Sequence, residues 1–450
     1  CIRDRFPVST NYVMKMINCF IPFLSLPQAR QTVRALGLCD RIKNIYLLAT
    51  EKIPDEVEGC EMLMIDSPAS TATFRTIALH ADTAYTLLYT KYTAFEPGQF
   101  AFERLLAIAG DTHAGMLYAD RYLLKNGNSQ QAPVIDYQKG SLRDDFDFGS
   151  LLFFRSSVLK QAVRAMDADY RFAGLYDLRL RVSELAELVH VNEYLYSEVE
   201  TDIRKSGEKL FDYVDPKNRA VQIEMEAVCT AYLKRVGGYL APDFEPVTFD
   251  AGGFEQEASV IIPVRNRIRT IEDAIRSVLA QKTTFRFNLI IVDNHSTDGT
   301  SEAIEKYTAD GRVVHLVPER SDLGIGGCWN VGVHHPACGK FAVQLDSDDV
   351  YSGPDTLQKI VDAFYEQNCA MVVGTYRMTD FKMNEIPPGI IDHREWTLEN
   401  GRNNALRING LGAPRAFYTP VLRRINLPNT SYGEDYALGL RISRTWRIGR

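Results

Sequence analysis

Three acidic groups, far apart in the chain, carry the side chains best suited to chemistry. Asp346-Ser347-Asp348-Asp349 follows the apolar run Phe341–Leu345. Asp293 follows a second run, Phe287–Val292, and opens the polar loop Asn294-His-Ser-Thr-Asp-Gly299. Glu434-Asp435 stands after Tyr432-Gly433 and before the helix-like stretch Tyr436–Ile442. Clustered carboxylates supply the hard oxygen ligands that Mg²⁺ and Mn²⁺ take, often shared with phosphate oxygens. A single carboxylate within hydrogen-bond reach of a hydroxyl can act as a general base. Each group also has an ordinary reading. An acidic turn suits water, and two acids in the first turn of a helix favour the positive end of its dipole.

What would bring such groups into one cleft is a parallel α/β sheet, because its strands all present their carboxyl ends at one edge. The run Ala258–Val264, which includes Pro263, is followed by a helix-period stretch, Ile271–Gln281. Its Ile271, Ala274, Ile275, Val278 and Leu279 share one face. Strands are expected at Phe287–Val292, Val313–Val317, Phe341–Leu345 and Ala370–Gly374. This alternation predicts a parallel sheet with crossover helices and sets Asp293 and Asp346 at the same edge. The turn Pro263-Val264-Arg-Asn266 offers backbone groups to a planar base, and Gly324-Ile-Gly-Gly327-Cys-Trp-Asn330 reads as a flexible loop before a short helix.

The N-terminal half alternates in the same order. Strands are expected at Ile17–Leu26, Asn44–Ala49, Glu61–Ile65 and Ala84–Tyr89. One helix starts after Pro27 and ends at Gly37, and another spans Phe74–Ala81. The two halves overlay at a constant offset, with Gly149, Phe154, Val158 and Leu159 against Gly412, Phe417, Val421 and Leu422. Leu180-Arg-Val-Ser183 also matches Leu440-Arg-Ile-Ser443. Ordered matches of this kind point to a duplicated domain. The acids are not duplicated: Ala49 stands near the place of Asp293, and Tyr89-Thr90-Lys91 lies against Asp346-Ser347-Asp348. The chain therefore divides into residues 1–236, which end in a bridging helix Arg219–Arg235, a Gly-, Pro- and acid-rich linker 237–257, and residues 258–450.

Composition narrows the function classes. The 450 residues carry a net charge of −7 with no massed basic face, which argues against sequence-independent nucleic-acid binding. Neither a G-x-x-x-x-G-K-[ST] loop nor a G-x-G-x-x-G fingerprint is present, so ATPase and dehydrogenase readings lose support. The eight cysteines, Cys1, Cys19, Cys39, Cys60, Cys229, Cys328, Cys338 and Cys369, form no Cys-x-x-Cys pair and read as reduced core residues of a cytosolic protein. No apolar stretch approaches the roughly 18 to 20 residues that span a bilayer, so a soluble protein is expected.

As an ordered set, Val260-Ile-Ile-Pro263, Val292-Asp293 through Gly299, Gly324 through Asn330, Leu345-Asp346-Ser347-Asp348-Asp349 and Glu434-Asp435 resemble the bacterial family 2 glycosyltransferases of GT-A fold, over most of residues 258–450. The resemblance implies tandem GT-A-like domains, each a mostly parallel central sheet flanked by helices, the first of them degenerate and the second catalytic. It implies a nucleoside-diphosphate-sugar donor, UDP by default, surrounded by Pro263, Val264, Asn266, Asp293, Asn330, Asp346 and Ser347. Asp293 and the Val264–Asn266 turn would meet the base and Asp346 the ribose. Asp348 and Asp346 would hold Mn²⁺ or Mg²⁺, and Asp435, with Glu434 beside it, would be the general base of an inverting displacement. The implied acceptor is a glycan or lipid-linked glycan, and the implied location is the cytoplasm, at or near the inner face of the membrane. Family contacts that follow the Glu-Asp pair would fall beyond Arg450, so the catalytic domain is expected to be truncated at its C-terminus.

Two alternatives stand for the whole protein: a bifunctional glycan polymerase with both domains active, and a non-catalytic sugar-nucleotide or glycan-binding protein. For the first half alone there are three: a pseudo-enzyme that binds acceptor or mediates assembly, a metal-independent transferase in which Lys91 neutralises the diphosphate, and a packing partner. Oligomeric state is left open.

Overall fold

The computed structural model describes residues 14–52, 55–125, 127–199 and 218–450. They fall into two compact units that meet in sequence between Val236 and Gly237. No helix among the described residues is long and apolar enough to cross a membrane. Cys1 lies outside the described residues, and the other seven cysteines are free thiols.

In the first unit the elements run β1 (Ile17–Pro22), α1 (Leu26–Gly37), β2 (Ile42–Ala49), β3 (Glu61–Met64), α2 (Thr71–His80), β4 (Tyr85–Tyr89), β5 (Phe95–Pro97) and α3 (Ala101–Thr112). They continue with β6 (Met116–Lys125), β7 (Asn128–Ala132), β8 (Leu151–Arg155), α4 (Ser156–Arg164), α5 (Gly174–Leu185), β9 (Leu188–Val199) and α6 (Arg219–Arg235). Strand order is β3-β2-β1-β4-β8-β6-β9-β5, with β7 beside β6. Successive β1 residues feed two separate cores, Cys19 and Ile21 on one face and Phe20 on the other, as strict alternation along a strand covered on both sides requires. The first strand is shorter than its apolar run suggests. It ends at Pro22, and α1 begins before Pro27 because Ser25 caps it through the Gln28 N–H and Pro27 is tolerated in the first turn. Helix α6 lies with the first unit, where the Glu224 carboxylate accepts the N–H groups of Phe172 and Ala173.

The second unit contains β10 (Ala258–Val264), α7 (Ile271–Leu279), β11 (Phe287–Asp293), α8 (Thr300–Glu305), β12 (Val313–Leu316), α9 (Ile325–His334), β13 (Phe341–Gln344) and α10 (Thr356–Gln367). It continues with β14 (Met371–Val373), the hairpin β15 (Tyr376–Thr379) and β16 (Glu385–Ile391), α11 (Gly401–Asn404), β17 (Arg415–Tyr418), α12 (Thr419–Ile425), α13 (Glu434–Ser443) and β18 (Ile448–Gly449). Sheet order is β12-β11-β10-β13-β17-β14-β18. The expected α/β architecture is present in both units, and each sheet is mostly parallel. β17 and its counterpart β8 run antiparallel to their neighbours. Residues 237–257, read above as a linker, run along this second unit: Val247, Phe249 and Ala251 pack on its core, and the Glu245 N–H donates to the Thr445 carbonyl at 2.9 Å.

Position by position the two sheets share one topology, β3-β2-β1-β4-β8-β6-β9 against β12-β11-β10-β13-β17-β14-β18. The ladders fix how the halves correspond. Ile17 faces Tyr85, and Ala258 faces Phe341. Counting forward from that pair sets Thr90, Lys91 and Tyr92 at the places of Asp346, Ser347 and Asp348. The sequence overlay, guided by matching Leu88 to Leu345, was one residue out. In a strand such a slip turns every side chain to the opposite face. Ala49 does stand at the place of Asp293 by the same count.

Candidate active site

Strands β10, β11 and β13 end side by side, and three loops rise from their carboxyl ends. The first two are knitted together. The Asn294 N–H donates to the Val264 carbonyl at 2.8 Å, the Asn266 N–H to Ser296 Oγ at 3.0 Å, and the Thr297 N–H to Asn266 Oδ1 at 2.8 Å. Asn266 adopts a φ of 55°, a left-handed conformation that asparagine tolerates better than most residues. Pro263 and Val264 form the end of β10, with Val264 buried.

Asp293 is 0% exposed. One carboxylate oxygen accepts the Ser296 N–H at 3.0 Å and the other accepts the Ser301 hydroxyl, with His315 Nε2 3.5 Å away. Burial alone would raise its pKa. The bonds from Ser296 and Ser301 and the nearby His315 outweigh that and hold it below the usual carboxylate range. The side chain expected beside a base thus faces its own loop and fixes that loop's shape.

The third loop carries the acids. Gln344, the last residue of β13, donates from Nε2 to Asp346 Oδ1 at 2.9 Å, and the turn closes with the Asp349 N–H on the Asp346 carbonyl at 3.1 Å. Ser347 is buried between Asp346 and Asp348. Loss of surrounding water raises Asp346, and Asp348 and Asp435 raise it further, against the opposing influence of Gln344 and Arg415. Asp349 is pushed up to about 6, by loss of water first and then by Asp346 and Asp348. Arg267 Nε lies 3.7 Å from Asp348 Oδ2, and both side chains are about half exposed.

Glu434 and Asp435 begin α13, and Arg415 reaches across to them from β17. Its guanidinium donates to Asp435 Oδ2 at 2.5 Å, to Gln344 Oε1 at 2.7 Å and to the Leu411 carbonyl at 2.7 Å. The acids of two separate loops are therefore joined by one unbroken polar chain, Asp346–Gln344–Arg415–Asp435. Asp435 Oδ1 also accepts the Tyr436 N–H at 2.6 Å. Glu434 is 7% exposed, its Oε2 has no hydrogen-bond partner, and burial raises its pKa. Sequence reading missed Gln344 and Arg415. The available signal was a glutamine inside an otherwise apolar buried strand, since a buried amide demands a polar partner.

The glycine-rich stretch, read as a flexible loop, is instead a seat. A Cβ on Gly326 would lie 2.0 Å from the Pro428 carbonyl oxygen, and one on Gly324 would lie 2.6 Å from the Thr430 backbone. The N–H groups there bind the same segment: Gly324 to Asn429 Oδ1 at 2.8 Å and Gly326 to the Thr430 carbonyl at 3.0 Å. Asn330 spends both ends of its amide on the backbone of Leu427, at 2.8 and 2.9 Å. Gly324 through Asn330 thus hold residues 427–431, the segment that delivers Glu434 and Asp435.

Residues 259–424 match the family described as Glycosyl transferase family 2, a span that stops short of Glu434-Asp435. The Bacillus subtilis (strain 168) glycosyltransferase TuaG, whose name assigns it provisionally to teichuronic acid biosynthesis, is 33% identical over 120 residues, covering 27% of this chain and 46% of that protein. An uncharacterized glycosyltransferase of Rickettsia felis is 38% identical over 198 residues, covering 43% of this chain and 31% of that one. The chain thus spans less than half the length of either relative. Among solved structures, S. aureus TarS 1–349 in complex with UDP-GlcNAc aligns at 24% identity and a TM-score of 0.35, covering 43% of this chain and 55% of that one. On the family match over residues 259–424 and the two bacterial sequence relatives, the second unit carries a family 2 glycosyltransferase domain.

Proposed function

We propose that the second unit is a metal-dependent, inverting glycosyltransferase. It moves a hexosyl or N-acetylhexosaminyl group from a nucleoside-diphosphate-sugar, UDP-linked by preference, to a hydroxyl of a glycan or lipid-linked glycan. The observation that carries this reading is the polar chain from Asp346 to Asp435, which joins a metal-type acidic turn to a candidate base at one sheet edge.

The donor set fits Mn²⁺ or Mg²⁺, because Asp346 and Asp348 offer the hard carboxylate oxygens that these ions take. Asp348 and Asp346 would hold the ion. When bound, it supplies neutralisation of the charge that develops on the leaving diphosphate. Asp435 accepts the proton of the acceptor hydroxyl as that oxygen bonds to the anomeric carbon and the bond to the diphosphate breaks, which inverts the centre. The joined loops of Asn266 and Ser296–Thr297 receive the base, with Asp293 acting through the loop it holds.

For the first unit the reading is a degenerate counterpart without transferase activity. Lys91 supports this, because its ammonium is already paired at 2.7 Å with the buried Glu198, which Arg121 also binds. That pairing disfavours a Lys91 that neutralises a diphosphate. Cytoplasmic placement at the inner face of the membrane belongs to the same proposal.

The test is donor hydrolysis and binding across a panel of nucleotide sugars, with and without Mn²⁺, for the wild type and Asp348→Ala. One donor that responds only with metal, and not in the variant, supports the reading. Donor binding without any turnover in the wild type, with acceptors supplied, would favour the glycan-binding alternative.

A further inference from the structure

Gln344 and Arg415 stand between the two acidic ends of the site, and the proposed reaction uses neither. Val343 faces Ala416 in the β13–β17 ladder, so Gln344 and Arg415 are the next pair along it. All three kinds of donor nitrogen on Arg415 are committed: Nε to the Leu411 carbonyl, one terminal nitrogen to Gln344 and the other to Asp435. A planar guanidinium bound at each nitrogen has no freedom to turn, and the Arg415 side chain is only 11% exposed.

The first unit supplies an internal control. At the same ladder position Leu88 faces Leu152, and the helix equivalent to α13 begins Gly174-Leu175 in place of Glu434-Asp435. The same sheet therefore closes with two leucines here, and the polar pair occurs in the unit that has the acids.

We propose that Arg415, aligned by Gln344, is the positioning residue for Asp435: it fixes the direction of that carboxylate and sets it against the Asp346 turn. The inference rests on Asp435 being the base. A carboxylate free to rotate meets the acceptor hydroxyl in a productive geometry less often, so the loss falls on turnover and not on donor affinity.

The experiment compares kcat and donor KM for Arg415→Leu, and for Gln344→Leu/Arg415→Leu, which writes the first unit's own apolar pair into the second, with circular dichroism of each to select folded protein. Each is also combined with Asp435→Asn. The expected result is a fall in kcat of at least about tenfold, with donor KM within about twofold. In the Asp435→Asn background Arg415→Leu should cost nothing further, because it acts only through that carboxylate. An unchanged kcat in the double leucine variant, a loss seen mainly in KM, or a further loss in the Asp435→Asn background would overturn the proposal. If Asp435→Asn itself leaves turnover intact, it is the assignment of the base that has failed, a result distinguishable from these.

Discussion

The two units share one strand order over seven strands and differ in the side chains at the edge of the sheet. Thr90, Leu88, Leu152 and Leu175 in the first unit stand where the second has Asp346, Gln344, Arg415 and Asp435. Every link of the polar chain is replaced, not only its acidic ends. The lesson concerns burial. An arginine that is largely out of water is costly unless its donors are satisfied, so Arg415 has a place only where Gln344 and Asp435 receive it. Where the acids are absent, leucines fill the ladder and the packing needs no compensation. The first unit instead builds a different network, Lys91–Glu198–Arg121–Asp147, at the end of β4 and across β6 and β9.

Writing the first unit's residues into the second should break this comparison most sharply. Asp346→Thr/Asp348→Tyr should lose at least about 10²-fold in donor turnover and lose any response to Mn²⁺, measured with saturating donor. Gly326→Ala should come next. Its methyl group would meet the Pro428 carbonyl, and the whole 427–431 seat must then move. Misplacing Asp435 in this way should reduce kcat by up to about 10²-fold in steady-state assays, while circular dichroism shows the fold kept. Lys91→Ala should have the smallest effect. Turnover should stay at the wild-type level, and denaturant unfolding should show a loss of about 1 kcal/mol from a partly exposed partner of Glu198.

Much of this was legible in the sequence. The α/β alternation in both halves and the edge on which Asp293 and Asp346 stand follow from apolar periodicity, which reports burial directly. Other features depend on partners distant in sequence. Nothing in the sequence around Asp293 shows that Ser296 and Ser301 bind its two oxygens. Gly324 through Asn330 look like a loop, yet the backbone of 427–431 fills the space their missing side chains leave. The relation between Lys91 and Asp348 depended on strand register, which similarity of apolar residues fixes only to within one position. Arg415 was invisible because its role comes from Gln344 and Asp435, both fixed by the fold.

The most direct test of the account is transfer by Asp435→Asn, with donor affinity measured beside it on the full chain. The account predicts that turnover falls by about 10² to 10⁴, the usual worth of general-base assistance, while donor binding with Mn²⁺ stays near the wild-type value. Turnover at the wild-type rate, or equal losses in turnover and in donor binding, would contradict it.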